Sequence, residues 1–447
     1  MNLRSILYFQ AHQLVGMPIG SEYRRLLIDE IADNPGEITS ALIVDLLSHC
    51  QRNVPYYREW MGKLGNSFAQ DPLAFISQLP ILTKDIIRQN FDQLISADLG
   101  QRRWQYNTSG GSTGEPVRLI QDRQFAARTG AIQLLSFHWA GREVGEPAVR
   151  VWGSERDILQ GSMGVKMSLL NRLTNDTWLN AFRLTPASMR KFIDLLNANR
   201  PKLIIAYAQA IYELAQFAEQ EQISVIPQKA ILTSAGTLHP FMRQKIESIF
   251  ECKIFNRYGS REVGDIACEC RAHGGLHMFP RGCFVEVVDE DGHPLPRGVE
   301  GEILVTSLSN YAMPLIRYAI GDRGVLSPDE TCACGRNGLI FQKISGRNVD
   351  TFKKADGTLI DGEFFTHLLY FRDGVKKFQV IQKDYKAILF KIVKTSSEWL
   401  PEERQEIIQK TRRLMGDDCT VSFEFVDQIP PTSSGKYRYT ISEILPI

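Results

Sequence analysis

Tyr106-Asn-Thr-Ser-Gly-Gly-Ser-Thr-Gly-Glu-Pro116 packs its glycines and hydroxyls more densely than any other stretch of the chain. Gly110, Gly111 and Gly114 let the backbone turn its N–H groups toward an anion without Cβ interference, and Thr108, Ser109, Ser112 and Thr113 add hydroxyl donors. The composition suits a phosphate cradle; a polar surface turn is the competing reading. Val117 to Gln121 reads as a short strand, so the loop is expected to join strands. A nucleoside-triphosphatase P-loop would carry Lys-Ser or Lys-Thr after its last glycine, where this chain has Glu115-Pro116. That excludes the ordinary P-loop fold.

Outward from the loop, the pattern becomes an α/β alternation. Phe125 to Trp139 reads as helix and Ala148 to Trp152 as strand. Further on, Thr185 to Ala198 is helical with Pro186 in its first turn, Lys202 to Ala206 is a buried strand, and Ala208 to Glu221 is an amphipathic helix. Lys229 to Thr233 is strand-like, and Pro240 to Phe250 is helical. Such alternation predicts a parallel sheet covered on both faces, with ligands beyond the carboxyl ends of its strands. Ser234 to Thr237 and Asn256 to Glu262 are expected there. From Phe284 the period changes to two, through Val285 to Val288, a turn at Asp291-Gly292 and Gly301 to Thr306, which marks a β-rich part. Upstream, residues 1–100 are patterned as helices, with Ser21 to Ala32 and Glu37 to Cys50 the clearest and Thr83 a helix cap. Beyond Ile344 about a hundred residues restart the alternation, enough for a small α+β domain.

The whole chain sets bounds on these readings. Its 447 residues are 43% hydrophobic and 23% charged, with a formal net charge of +1. This is the composition of a globular protein with two or three domains, and it offers no electrostatic drive toward nucleic acid or an acidic membrane. No stretch has the unbroken apolar length of a membrane span or a secretory signal, so the expected location is the cytoplasm. Eight cysteines are too sparse for a disulfide scaffold, and four form Cys-x-Cys pairs, which points to a metal.

Six motifs in order make the chain resemble the adenylate-forming enzymes, and within them the phenylacetate–CoA ligase family and its CapK-like branch. They are Asn53-Val-Pro-Tyr-Tyr-Arg58 with Leu79-Pro-Ile-Leu-Thr-Lys84, the glycine-rich loop, Asn256-Arg-Tyr-Gly-Ser-Arg-Glu262, Tyr318-Ala-Ile-Gly-Asp322, the Gly346-Arg347 junction, and Pro431-Thr-Ser-Ser-Gly-Lys436. The resemblance implies a large domain over 1–346, helical over 1–100 and β-rich over 268–340, and a small mobile α+β domain over 347–447. It implies ATP held by Ser109, Gly110, Gly111, Ser112, Thr113, Gly114, Ala235, Gly236, Asn256, Arg257, Tyr258, Gly259 and Ser260, with Asp322 on the ribose and Arg347 reaching ribose or phosphate.

Chemistry agrees with these assignments. A tyrosine ring such as Tyr258 can stack on adenine, and a carboxylate such as Glu262 can hold Mg²⁺ between phosphates. Lys436 is a point charge suited to the negative charge that gathers when a carboxylate attacks the α-phosphorus. The competing readings are a strand end with a turn for Tyr258 to Glu262, a plain Gly-Asp turn for Asp322, and a solvated surface lysine for Lys436. Relatives carrying lysine where this chain has Glu115 would neutralise phosphate there, so Mg²⁺ and Lys436 must supply more of that charge here. The resemblance also implies that the small domain rotates about Arg347 to Asp350 between half-reactions.

Cys270, His273, Cys332 and Cys334 supply three thiolates and one imidazole, a set suited to a closed structural Zn²⁺ site. The family pattern aligns Cys270 and His273. Cys268 is an alternative ligand, His277 is a spare nitrogen, and scattered buried cysteines are the competing reading.

The expected function is ATP- and Mg²⁺-dependent activation of a small carboxylic acid as its acyl adenylate, followed by transfer to coenzyme A. One rival changes the acceptor to an amine, a sugar or a carrier protein; another is an inactive nucleotide-binding assembly protein. A homodimer is compatible with the sequence. His138-Trp139, Val151 to Ser154 and Tyr207 to Gln209 are read as core or as acyl-pocket lining.

Overall fold

In the computed structural model the helical start is set by its proline and cap residues. The helices Pro35–Asn53 and Pro55–Leu64 each begin at a proline, whose missing N–H costs nothing in a first turn. Val54, in an extended conformation, forms the break between them. The Thr83 hydroxyl caps Lys84–Gln89 by accepting from the Ile86 amide at 3.2 Å. The structure describes residues 2–30, 34–65, 67–108, 117–152, 171–180, 186–234, 236–347, 352–356, 359–360, 364–365, 368–369, 372, 374–394, 401–429 and 439–444.

The glycine-rich stretch follows a hairpin strand absent from the sequence reading. β1 (Trp104–Thr108) pairs antiparallel with β2 (Arg118–Asp122), Thr108 opposite Arg118. Asp122 closes β2 and starts the helix Arg123–Trp139, its carboxylate accepting from the Phe125 amide at 2.8 Å and the Tyr311 amide at 3.1 Å.

β3 (Ala148–Trp152), β4 (Asp176–Asn180), β5 (Leu203–Tyr207), β6 (Ala230–Ser234) and the first half of β7 (Lys253–Ser260) are parallel neighbours. The helices Pro186–Asn199, Ala208–Gln220 and Pro240–Phe250 bury an apolar core on this sheet around Ile193, Ile204, Ile231 and Ile246. On the other side Arg123–Trp139 packs with Leu203, Ile205 and Leu232. The sheet is therefore covered on both faces, as the near-continuous apolar strands require.

The sheet does not stop at β7. β8 (Gly264–Glu269) returns antiparallel against Arg257 to Ser260, and β9 (Leu276–Met278), β10 (Cys283–Val288), β11 (Glu300–Ser307), β12 (Tyr318–Leu326) and β13 (Ile340–Arg347) follow. The result is one eleven-stranded sheet of order β10-β11-β12-β13-β9-β8-β7-β6-β5-β3-β4. The β-rich part is thus continuous with the parallel part.

The α/β class with a strand-rich part and a smaller α+β unit is as the sequence reading has it. The chain divides into two compact units, one formed of Met1–Ser109, Val117–Ile320 and Gly324–Ile344 and the other holding Ser345–Ile447. The second contains the two-stranded β14 (Phe352–Lys353) and β15 (Leu359–Ile360), and a sheet of β16 (Val375–Asp384), β17 (Ala387–Lys394), β18 (Thr420–Phe425) and β19 (Thr440–Ser442). Phe378, Val380, Phe390, Ile392 and Ile407 form its core, with Ile407 on the helix Pro401–Met415.

One buried cation ties the helical start to the strand-rich part. Arg317 is 4% exposed and at φ 50°; its guanidinium donates to Ser77 O, Leu79 O and Gly292 O and pairs with Glu286 at 3.2 Å. Burial raises the Glu286 carboxyl, and Arg317 opposes that shift. Arg317→Met removes one partner of a buried pair and orphans three carbonyls. It should destabilise the first unit by roughly 3–5 kcal/mol, read as a lower midpoint in chemical denaturation. A midpoint equal to the parent's would refute that role.

Candidate functional site

β7 carries the site because its pairing partner changes along its length. Lys253 to Asn256 pair with β6, and Arg257 to Ser260 pair with β8, so Tyr258, Gly259 and Ser260 run past the carboxyl end of the parallel strand beside them. The expected turn beyond the strand is in fact strand as far as Ser260. Close packing makes this possible. A Cβ on Gly259 would lie 2.5 Å from Gly264 O, and one on Gly264, at φ +81°, would lie 2.2 Å from Thr129 Cγ2.

Strand alternation sorts the motif into two faces. Asn256, Tyr258 and Ser260 are half-buried, whereas Arg257 is 5% exposed. Arg257 donates to Asp265 at 3.1 Å and lies over Phe137, so its side chain belongs to an interior ion pair. Burial raises the Asp265 carboxyl, an effect that Arg257 counters. Tyr258 sets its ring edge-on against Phe341, with centroids 5.8 Å apart. The Asn256 amide donates to Glu269 Oε2 at 2.9 Å, and Asn256 Oδ1 accepts from Thr233 at 3.4 Å.

Glu262 follows as a buried carboxylate, 6% exposed, accepting from the Tyr318 hydroxyl at 3.3 Å. Among the described residues no lysine, arginine or histidine is in ion-pair reach of it. Gln121 fixes its backbone by donating to Arg261 O at 2.8 Å and Glu262 O at 3.2 Å, and Asn107 donates to Gln121 Oε1 at 2.8 Å. Gln121, Asn107 and Tyr318 were missed as site residues. The available signal was one amide at the end of the apolar run Val117 to Gln121.

Asp322 lies within β12, where the sequence reading had it at the strand's end; Gly321, at φ 90°, bends the strand without ending it. Gly236 follows β6. Ser109, Gly110, Gly111, Ser112, Thr113, Gly114, Ala235, Asp350 and Lys436 lie outside the described residues, and Arg347 is placed only as the last residue of β13. Of the segments read as core or pocket, Trp139 is core, 5% exposed and stacked on Phe279. Trp152 and Tyr207 instead meet, 4.3 Å apart, at the carboxyl ends of neighbouring β3 and β5.

A second cluster gathers sulfur and nitrogen. Cys270, His277, Cys332 and Cys334 place one ligand atom each within 4.8 Å of one another. His273, expected in this set, turns away at φ 52° toward Glu269 Oε2, 3.4 Å from its Nδ1. Cys268 is fully buried in a neighbouring core. Burial holds the Cys270 thiol up at about 12 and the His277 imidazole down at about 4. Among the described residues no helix is long and apolar enough to cross a membrane.

Comparison with known proteins agrees with this geometry. Residues 352–443 match the family model "CapK C-terminal domain". The chain is 25% identical to Protein CapK of Staphylococcus aureus over 91% of its length and 89% of that protein's. It is 25% identical to the phenylacetate-coenzyme A ligase of Thermus thermophilus over 68% of each. In fold it is similar to 2-hydroxyisobutyryl-CoA ligase in complex with 2-HIB-AMP and CoA, with TM-score 0.59 and 17% identity over 93% of this chain and 91% of that one.

Gln121→Leu keeps the side chain's size and removes both donors to the Arg261–Glu262 backbone. Two carbonyls then lose a partner at about 1–3 kcal/mol each. Amide exchange at Glu262 and Val263 should accelerate, measured by deuterium uptake on the folded protein. Uptake there identical to the parent's would show that Gln121 does not hold this segment.

Proposed function

Taking the chain as a CapK-like relative of the phenylacetate–coenzyme A ligases, with the fold of adenylate-forming enzymes, we propose that it activates a small carboxylic acid with ATP and passes the acyl group to coenzyme A. A carboxylate oxygen attacks the α-phosphorus and pyrophosphate leaves, giving the acyl adenylate. The thiolate then attacks the acyl carbonyl, and AMP leaves with the carboxylate oxygen.

The observation that carries this reading is Glu262, a buried carboxylate at the carboxyl edge of the sheet, oriented by Tyr318 and Gln121 and with no described cationic partner. Such a group suits a divalent cation, and a bound Mg²⁺ supplies charge that offsets phosphate oxygens. Ser109 to Gly114, Ala235, Gly236, Asn256 and Tyr258 to Ser260 are the proposed nucleotide contacts, with Asp322 and Arg347 on ribose or phosphate. Arg257 takes part through its backbone, since its side chain is committed to Asp265. Lys436 is the proposed cation for the adenylation transition state. The acid's acyl part is assigned to the Trp152 and Tyr207 rings. A structural zinc in the strand-rich part and a cytoplasmic setting, where ATP and coenzyme A are supplied, complete the reading.

A second reading changes only the acceptor. It is favoured by the extent of the likeness, which takes in 91% of the chain for CapK and 68% for the Thermus ligase. The acceptor is then an amine, a sugar or a carrier protein. Mass analysis of products with coenzyme A present decides between the two.

Glu262→Gln and Lys436→Ala should each lower carboxylate-dependent exchange of pyrophosphate into ATP by on the order of 100-fold, with an acid selected on the parent protein. Glu262→Gln should also raise the magnesium concentration needed for half-maximal exchange. Parental exchange in both variants would remove these residues from the mechanism.

A further inference from the structure

We propose that Cys270, His277, Cys332 and Cys334 form a closed zinc site, and that His273, left off the metal, braces Glu269, whose carboxylate fixes β7 at Asn256. This deepens the zinc part of the reading above and draws nothing from the adenylation chemistry.

Geometry selects the ligands. A tetrahedral zinc with bonds of about 2.3 Å to sulfur and 2.0–2.1 Å to nitrogen separates two sulfurs by about 3.8 Å and a sulfur from a nitrogen by about 3.6 Å. Cys270 Sγ and Cys332 Sγ are 3.7 Å apart, and Cys334 Sγ and His277 Nε2 are 3.6 Å apart. Those are edges of such a tetrahedron, and they are wide for direct contacts between neutral thiols or a thiol and an imidazole. The backbone is arranged for thiolates as well. The Ala272 amide donates to Cys270 Sγ at 3.4 Å and the Cys334 amide to Cys332 Sγ at 3.5 Å, so each tight turn aims an N–H at its own first sulfur. Turn bonds from His273 N to Cys270 O at 3.1 Å and from Gly335 N to Cys332 O at 2.8 Å close the two knuckles.

His277 reaches the cluster because β9 pairs it with Cys268 on β8 and with Ile340 on β13, between the two knuckles in the sheet. Its ring is held by Trp139, 5.8 Å away edge-on, and Trp139 is capped by Arg336 at 4.5 Å. With three thiolates and His277 the coordination is full, which leaves no position for substrate and makes the site structural.

His273 has a different environment. Its ring lies 4.9 Å from Phe255, and its Nδ1 faces Glu269 Oε2. That oxygen accepts from the Asn256 amide, while Oε1 accepts from Arg243 at 2.7 Å. Glu269 immediately precedes Cys270, so a metal that fixes the knuckle also fixes the carboxylate that holds Asn256, where β7 changes partner.

The test is metal content and ligand spectrum on the full-length protein, with no ATP, acid or coenzyme A present. The parent and His273→Ala should carry about one zinc per chain. Cys332→Ser and His277→Ala should bind zinc more weakly by over about 100-fold, beyond what loss of an outer contact costs. His277→Cys keeps a ligand, so it guards against misfolding: its cobalt-substituted form should show stronger sulfur-to-cobalt charge transfer, while His273→Cys should match the parent. For the brace, His273→Ala should speed amide exchange at Asn256 on the order of tenfold with zinc still bound. A zinc-free parent, or a cobalt spectrum altered by His273→Cys and not by His277→Cys, overturns the ligand set. Unchanged exchange at Asn256 in His273→Ala overturns the brace.

Discussion

The divided pairing of β7 is the constraint on which the rest of the structure depends. A strand that is parallel to β6 for four residues and antiparallel to β8 for the next four must carry its side chains past the end of one sheet while staying bonded to another. This exposes Tyr258, Gly259 and Ser260 at a ligand edge without leaving their backbone unpaired, which would be costly in a half-buried position. Three interactions hold the changeover: Glu269 on the Asn256 amide, Arg257 against Asp265, and the glycine contact that lets β7 and β8 approach. Each comes from a residue unremarkable by composition. Their worth lies in where the fold brings them.

That explains which parts could be read from sequence. The strands Ala148–Trp152 and Ala230–Ser234 and the helix Pro240–Phe250 announce themselves through apolar period, proline and flanking polar residues, all local signals. β1 was invisible because Trp104 to Thr108 is a half-exposed edge segment with no apolar alternation. The expected turn at Asn256 to Glu262 failed at its first residues because pairing with β8 is a tertiary choice. Cysteine spacing pointed to a metal, but not to which histidine joins it: Cys-x-x-His is a local pattern, whereas His277 arrives through the register of β9. Arg257 was grouped with its neighbours by motif, and strand alternation separated it from them.

The site's electrostatics follow from burial. Most interior charges of the first unit are paired, as with Arg317 and Glu286, Arg257 and Asp265, and Arg128 and Glu22. Glu262 is buried to a similar degree and has a hydroxyl where those have a guanidinium. A carboxylate kept in that state is poised for a cation that arrives with a ligand, consistent with a nucleotide bound through magnesium. The hydrogen bonds from Gln121 then have a function, because they hold the backbone of that carboxylate in place before the ligand binds.

The central claim is that a carboxylate oxygen becomes bonded to the α-phosphorus of ATP. It is tested most directly by supplying an accepted acid with both carboxylate oxygens labelled as oxygen-18, then analysing the nucleotide and pyrophosphate by mass after complete turnover with the acceptor. Adenylation predicts one labelled oxygen in each AMP and none in the pyrophosphate. Label in inorganic phosphate, or unlabelled AMP from a reaction that consumed the acid, would contradict the account.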